Sequence, residues 1–301
     1  GFPRLVSLIR GIGPDIVQTW MYHADIVGGL ATKLAGNPPI AWNIRVAIGP
    51  LKLRTRMLVR LAAFLSKLIP DRIICCGKVV AQDHAEIGYE TGKMVIVPNG
   101  YDLARWVLSD AERSARGTAN ISILSVGRFD PQKGYGYLVE AAALLKDRGR
   151  NFRFVLAGSG CDPDNEELAK LLRTHSVADR FELLGVQQDV RALYARASVF
   201  CLSSLFEGFP NVVAEAMAME LPCVATDAGD ARMVLGECGE IVPPGDAVSL
   251  AGALDRAGSM AAGQREALGK RARQRIEGNF SLDRAWSQYR DLYGAMLSEA
   301  S

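Results

Sequence analysis

A carboxylate inside an apolar helix is the first feature that asks for a chemical explanation. In SLFEGFPNVVAEAMAMELPCVAT, residues 204–226, Glu207 and Glu215 are separated by seven residues, almost all apolar. Pro210 suits the first turn of a helix, where its missing N–H costs nothing, so a helix is expected to start at Pro210 or Asn211. The unpaired amides of such an end attract anions and hydroxyls. Glu207 then lies on the loop ahead of the helix, and Glu215 about one turn inside it, among Val212, Val213, Ala214, Ala216, Met217 and Ala218. An unpaired buried carboxylate is costly, so Glu215 requires dedicated donors, for which ligand hydroxyls are the obvious source. An acid held only by the helix dipole is the alternative. The second chemical group is cationic. The run ISILSVG leads directly into GRFDPQKG, where Gly127 permits a tight exit and Arg128 and Lys133 project above the strand end. A guanidinium grips phosphate oxygens in pairs and an ammonium adds a mobile point charge, so the two could hold a diphosphate. Two solvated loop cations are the plain alternative.

Holding these groups together requires a sheet covered on both faces. Short Val- and Ile-rich runs bounded by Gly, Pro or Asp recur along the chain: DIVQTW, RIICC, KMVIVPNG, ISILSVG, FRFVLAGSG, FELLG, SVFCLSS, PCVAT and GEIVPPG. Amphipathic stretches such as YLVEAAALLKDRG and NEELAKLLRTH separate them. Strands alternating with helices predict an α/β protein with doubly wound parallel sheets, whose ligands bind beyond the carboxyl ends of the strands. With 301 residues, about two domains are expected. The polar, turn-forming stretch at 101–119 reads as a linker, which gives a partial first domain at 1–107 and a second at 108–280. A last helix at 281–301, opened by a Ser-x-Asp cap signal, is expected to pack back toward the first domain. The first domain opens on a helix and supplies only three clear strands.

The ordered set GRFDPQKG, EGFPNVVAE (an E-x7-E motif) and AMELPCVATDAGD resembles the donor-binding half of the retaining glycosyltransferases of family 4, which have the GT-B fold. The resemblance is strong over 121–250 and weaker over PDIVQTWMYHAD and KMVIVPNGYD. It implies two Rossmann-like domains facing a cleft, the first incomplete, because no opening strand with a glycine-rich loop precedes PDIVQTW; Gly28 and Gly29 fall later, in a helical pattern. It implies that Arg128 and Lys133 neutralise the diphosphate of a nucleotide sugar, UDP- or GDP-linked. Gly127 and the backbone of Gly208, Phe209, Pro210, Asn211 and Val212 would line the donor site, with Glu207 on the sugar hydroxyls and Glu215 on the ribose hydroxyls. His23 matches the position of a first-domain histidine that faces the donor sugar. No cofactor or metal is implied, and no protein nucleophile is assigned. The acceptor would be a glycan or a polyprenyl-linked glycan in cell-envelope polysaccharide synthesis.

Other features bound this expectation. A net charge of +2 gives no ground for nucleic-acid binding. Six scattered cysteines without metal spacing suit a reduced, cytoplasmic protein. Asp162 and Asp164 in DPD imitate a metal-binding triplet but are expected to serve a turn and a helix cap. His84 and His175 lie on helical patterns and receive no role. Residues 45–78 carry Arg45, Lys52, Arg54, Arg56, Arg60, Lys67, Arg72 and Lys78 against Asp71, around Met57, Leu61, Phe64, Leu65 and Leu68 at helical spacing. They are expected either to dock on an anionic membrane surface or to cover the first sheet. A nucleotide-sugar epimerase or phosphorylase, a dinucleotide oxidoreductase and a non-catalytic nucleotide-binding module are the competing functions. The absence of G-x-G-x-x-G after any strand counts against hydride transfer.

Overall fold

A computed structural model describes residues 1–49, 53–116 and 121–300. The chain forms two compact units, Gly1–Gly100 together with Leu282–Ser301, and Tyr101–Ser281.

The first unit runs α1 (Phe2–Ile12), β1 (Val17–Trp20), α2 (Tyr22–Ala35), β2 (Ile40–Ile44), α3 (Leu53–Ser66), β3 (Arg72–Cys75), α4 (Lys78–Glu86) and β4 (Met94–Ile96). Its four strands pair in parallel in the order β1-β2-β3-β4, one strand more than the sequence discloses. The missed strand is β2, IAWNI, which follows two prolines and carries an asparagine among its apolar residues. All five of its residues are buried; Asn43 Nδ2 donates to the Tyr289 hydroxyl at 2.9 Å, while its Oδ1 has no partner among the described residues. Gly28 and Gly29 lie within α2. His84 is fully buried in α4, bonded to the Tyr22 hydroxyl at 2.9 Å and the Val80 carbonyl at 2.7 Å, a structural placement.

The second unit runs α5 (Asp110–Ala115), β5 (Ser122–Val126), α6 (Tyr135–Asp147), β6 (Arg153–Ala157), α7 (Glu166–Thr174), β7 (Phe181–Leu183), α8 (Arg191–Arg196), β8 (Val199–Leu202), α9 (Asn211–Ala218), β9 (Cys223–Thr226), α10 (Ala231–Leu235), β10 (Gly239–Val242), α11 (Ala247–Ser259) and α12 (Ala262–Phe280). The last helix, α13 (Leu282–Ala300), belongs to the first unit, where Met296 packs with Ala41, Ile74 and Val97. The six parallel strands of the second sheet follow the order β10-β9-β8-β5-β6-β7. Strands such as VFCL and CVAT are buried at every position, as a parallel sheet sandwiched between helices requires. On one face Leu138, Val139 and Leu145 of α6 and Leu250 and Leu254 of α11 cover Ile123, Phe154 and Val199.

Residues 101–116 belong to the second unit. Tyr101 N–H donates to the Phe280 carbonyl at 2.9 Å, and Arg116 donates to the carbonyls of Tyr194, Ala195, Met219 and Glu220. One guanidinium thus satisfies acceptors at the ends of both α8 and α9, where a helix leaves its last carbonyls unpaired. Burial, and then the neighbouring Arg113, lower its pKa to about 10.

Candidate active site

The strand order brings the loops after β5, β8 and β9 to one edge of the second sheet. The loop after β5 closes in a short 3₁₀ turn, Pro131–Lys133, which begins where Asp130 accepts from the Gln132 amide at 2.9 Å. It is then fastened to the loop after β8. Gln132 Nε2 donates to the Phe206 carbonyl at 2.9 Å, Leu205 N–H donates to the Gln132 carbonyl at 2.7 Å, and Ser203 Oγ donates to the Lys133 carbonyl at 2.8 Å. Gly134 ends the turn at φ +62°, and a Cβ there would stand 2.1 Å from the Ser203 carbonyl oxygen. Glycine is therefore required both for the left-handed backbone and for the approach of the two loops.

This fastening sets Lys133 against Glu207. The ammonium lies 2.6 Å from Glu207 Oε1, which also accepts from Ser204 Oγ at 2.6 Å. Thr226 of β9 donates to the Ser204 carbonyl at 2.6 Å, fixing that serine in turn. Glu207 is 8% exposed, and its side chain is held by the loop. From the other side Gly229, at φ +58°, presses on the backbone; a Cβ there would meet the Glu207 carbonyl oxygen at 2.3 Å and that of Gly208 at 2.4 Å. Lys133 has three N–H donors and uses one on Glu207.

The helix predicted after Pro210 is α9. The Asn211 amide is taken by the Phe209 carbonyl, and those of Val213 and Ala214 by the Pro210 carbonyl. Among the described residues the amides of Gly208 and Val212 have no intramolecular acceptor. The Asn211 side chain accepts from the Tyr101 hydroxyl at 2.7 Å. Glu215 lies one turn inside α9, and burial raises its pKa, partly offset by a hydrogen bond. That bond corrects the expectation that a ligand must supply the donor: the Tyr194 hydroxyl of α8 donates to Glu215 Oε2 at 2.9 Å. A tyrosine on a short helix carries no sequence signal for this role. Arg128 is exposed on the loop after Gly127, and its guanidinium has no partner among the described residues.

Other expected residues lie on other elements. His23 is exposed in the first turn of α2, in the first unit. Asp162 and Asp164 lie in a turn, but the cap of α7 is Asn165, which accepts from the amides of Glu167 and Leu168. Arg45 leaves the proposed membrane set. It donates to Asn99 Oδ1 and the Tyr289 hydroxyl, and its guanidinium stacks 5.0 Å from the Trp20 ring centre. Arg72 pairs with Glu299, Lys78 also has a partner, and Lys52 lies outside the described residues. Among the described residues no helix is long and apolar enough to cross a membrane, and no cluster of three or more His, Cys, Asp or Glu side chains could hold a metal ion.

Two α/β units, each built on a parallel sheet, match the GT-B glycosyltransferase fold. The Anabaena HepE structure in complex with UDP superimposes with a TM-score of 0.84 at 20% identity, covering 98% of this chain and 82% of that one. Sucrose-phosphate synthase from Thermosynechococcus elongatus gives 0.81 at 23%, covering 100% and 79%. The chain belongs to the family 4 glycosyltransferases: the Glycosyltransferase Family 4 model matches residues 1–105, and the Glycosyl transferases group 1 model residues 120–259. It is 35% identical over 218 residues to the putative glycosyltransferase EpsF of Bacillus subtilis, which covers 68% of this chain and 56% of EpsF. It is 28% identical over 312 residues to the Escherichia coli UDP-Gal:alpha-D-GlcNAc-diphosphoundecaprenol alpha-1,3-galactosyltransferase, covering 97% and 78%. The capsular polysaccharide glycosyltransferase CapM of Staphylococcus aureus is 29% identical, covering 99% of this chain and 81% of CapM.

Proposed function

We propose that this glycosyltransferase moves a hexose or N-acetylhexosamine, with retention, from a UDP- or GDP-linked donor to a glycan or lipid-linked acceptor in cell-envelope polysaccharide synthesis. The Lys133–Glu207 pair, a buried carboxylate on a half-buried ammonium fastened at the edge where α9 begins, carries the proposal. As the glycosidic bond breaks, the departing diphosphate gains negative charge. Arg128 and the remaining donors of Lys133 stabilise that charge in the transition state more than in the ground state. Glu207 and the free amides of Gly208 and Val212 accept and donate to the sugar and phosphate oxygens, and Glu215 takes the ribose hydroxyls. Transfer on one face of the sugar, with the leaving phosphate receiving the acceptor's proton, needs no protein nucleophile. The cations supply the charge neutralisation without a metal. The acceptor class is supported by the names of the E. coli and S. aureus relatives.

The chain works at the cytoplasmic face of a membrane. Leu53, Met57, Leu61, Phe64 and Leu68, spaced along one face of α3 and the turn after it, are 49–65% exposed, while Val59, Ala62, Ala63 and Ser66 face the core. Arg54 and Lys67 flank this stripe, the arrangement of an interfacial helix. Calorimetric titration with UDP, GDP and their sugars tests the donor site. Lys133→Ala and Glu215→Ala are expected to weaken binding about tenfold or more, and unchanged titrations would remove the assignment.

A further inference from the structure

A cavity of about 650 Å³ lies in the first unit between α3 and α4, lined by Ile48, Val59, Arg56, Arg60, Asp83 and Glu86 among others. Arg56 and Arg60 are one helical turn apart and so project side by side on the α3 wall. Neither makes an ion pair or hydrogen bond among the described residues. Two adjacent guanidinium groups offer up to ten N–H donors in planar forks, the geometry that suits phosphate oxygens. The opposite wall is acidic. Asp83 Oδ2 accepts the Ile48 amide at 2.9 Å, and Glu86 accepts only a 3.2 Å bond from Gln82 on the same helix. Two carboxylates facing two guanidinium groups suit a ligand that carries hydroxyls as well as phosphate.

The third observation fixes what is attached to the phosphate. Arg56 and Arg60 each precede a member of the exposed apolar stripe, Met57 and Leu61, both of them on the same helix. Positive and oily surfaces are therefore contiguous along α3. Resting on the glycosyltransferase proposal above, we infer that this cavity receives the diphosphate of a prenyl-diphosphate-linked acceptor. The diphosphate lies on Arg56 and Arg60, the prenyl chain runs along Met57, Leu61 and Phe64, and the first sugar meets Asp83 and Glu86.

The test is direct binding of farnesyl diphosphate to the full chain, by calorimetry in saturating UDP so that the donor site is filled. Wild-type protein is expected to bind farnesyl diphosphate, and farnesol at least tenfold more weakly. The double variant Arg56→Gln/Arg60→Gln is expected to lose at least tenfold in farnesyl diphosphate affinity while binding UDP normally. Arg54→Gln, two residues before Arg56 on the same helix and outside the cavity lining, is expected to bind like wild type. The inference is overturned if the double variant binds farnesyl diphosphate normally, if Arg54→Gln weakens it equally, or if UDP displaces it. It is also overturned if phosphatidylglycerol vesicles, and not farnesyl diphosphate, need the arginine pair, because the site would then read a lipid headgroup. Failure of the donor-site reading shows separately, as UDP binding that survives Lys133→Ala.

Discussion

Replacing Lys133 by alanine separates the two roles assigned to it, as counter-ion of Glu207 and as ligand of the donor diphosphate. The Lys133 and Glu207 side chains retain 19% and 10% exposure. Removing one partner of a buried pair costs about 3–5 kcal/mol, because the other charge stays behind unpaired. Ser204 Oγ still donates to Glu207, and the residual exposure screens part of the charge, so a loss of about 2–4 kcal/mol is expected. In a unit of this size each kcal/mol moves Tm by about 2–4 °C, so scanning calorimetry should show a fall of roughly 5–15 °C. The companion variant is Lys133→Ala/Glu207→Gln. It buries no charge and should recover most of the lost stability, yet its affinity for UDP-sugars should remain at least as weak as that of the single variant. Urea denaturation of the four members of this cycle isolates the pair term. A double variant as unstable as the single one would refute the reasoning, because the loss would then come from the packing of the lysine stem. A single variant of wild-type stability would show that the pair is not buried in solution.

Two further outcomes follow from the same site. Burial holds the Glu215 pKa above its unfolded value, so its protonated form favours the fold, and that contribution is lost as pH rises through the folded pKa. Glu215→Gln mimics the protonated acid, so without ligand it should melt higher than wild type at pH 7, with the gap closing toward acid pH. The same variant should bind UDP more weakly, and a lower melting point at pH 7 would contradict the assignment. Gly229→Ala would place a methyl group 2.3 Å from the Glu207 carbonyl oxygen in a left-handed backbone. A loss of about 2–4 kcal/mol in urea denaturation is expected, together with weaker UDP binding, because the loop that carries Glu207 must shift.

The sequence alone determined the α/β alternation, the six strands of the second sheet, the start of α9 and the chemistry offered by Arg128, Lys133, Glu207 and Glu215. These features lie within contiguous runs of fewer than ten or so residues, and local periodicity, proline placement and charge type act at that range. The tertiary structure decided which of them meet. Lys133 and Glu207 pair because β8 lies beside β5, an adjacency that no local pattern encodes. Tyr194 as the donor to Glu215, and Arg116 as the shared cap of α8 and α9, depend on helices brought together over the same sheet. The strand β2 was illegible for a related reason: the side-chain nitrogen of its buried asparagine is paired by a tyrosine from α13, at the far end of the chain. Where a group's free energy is set by a partner distant in sequence, its residue type fixes what it needs, and only the fold fixes what it receives.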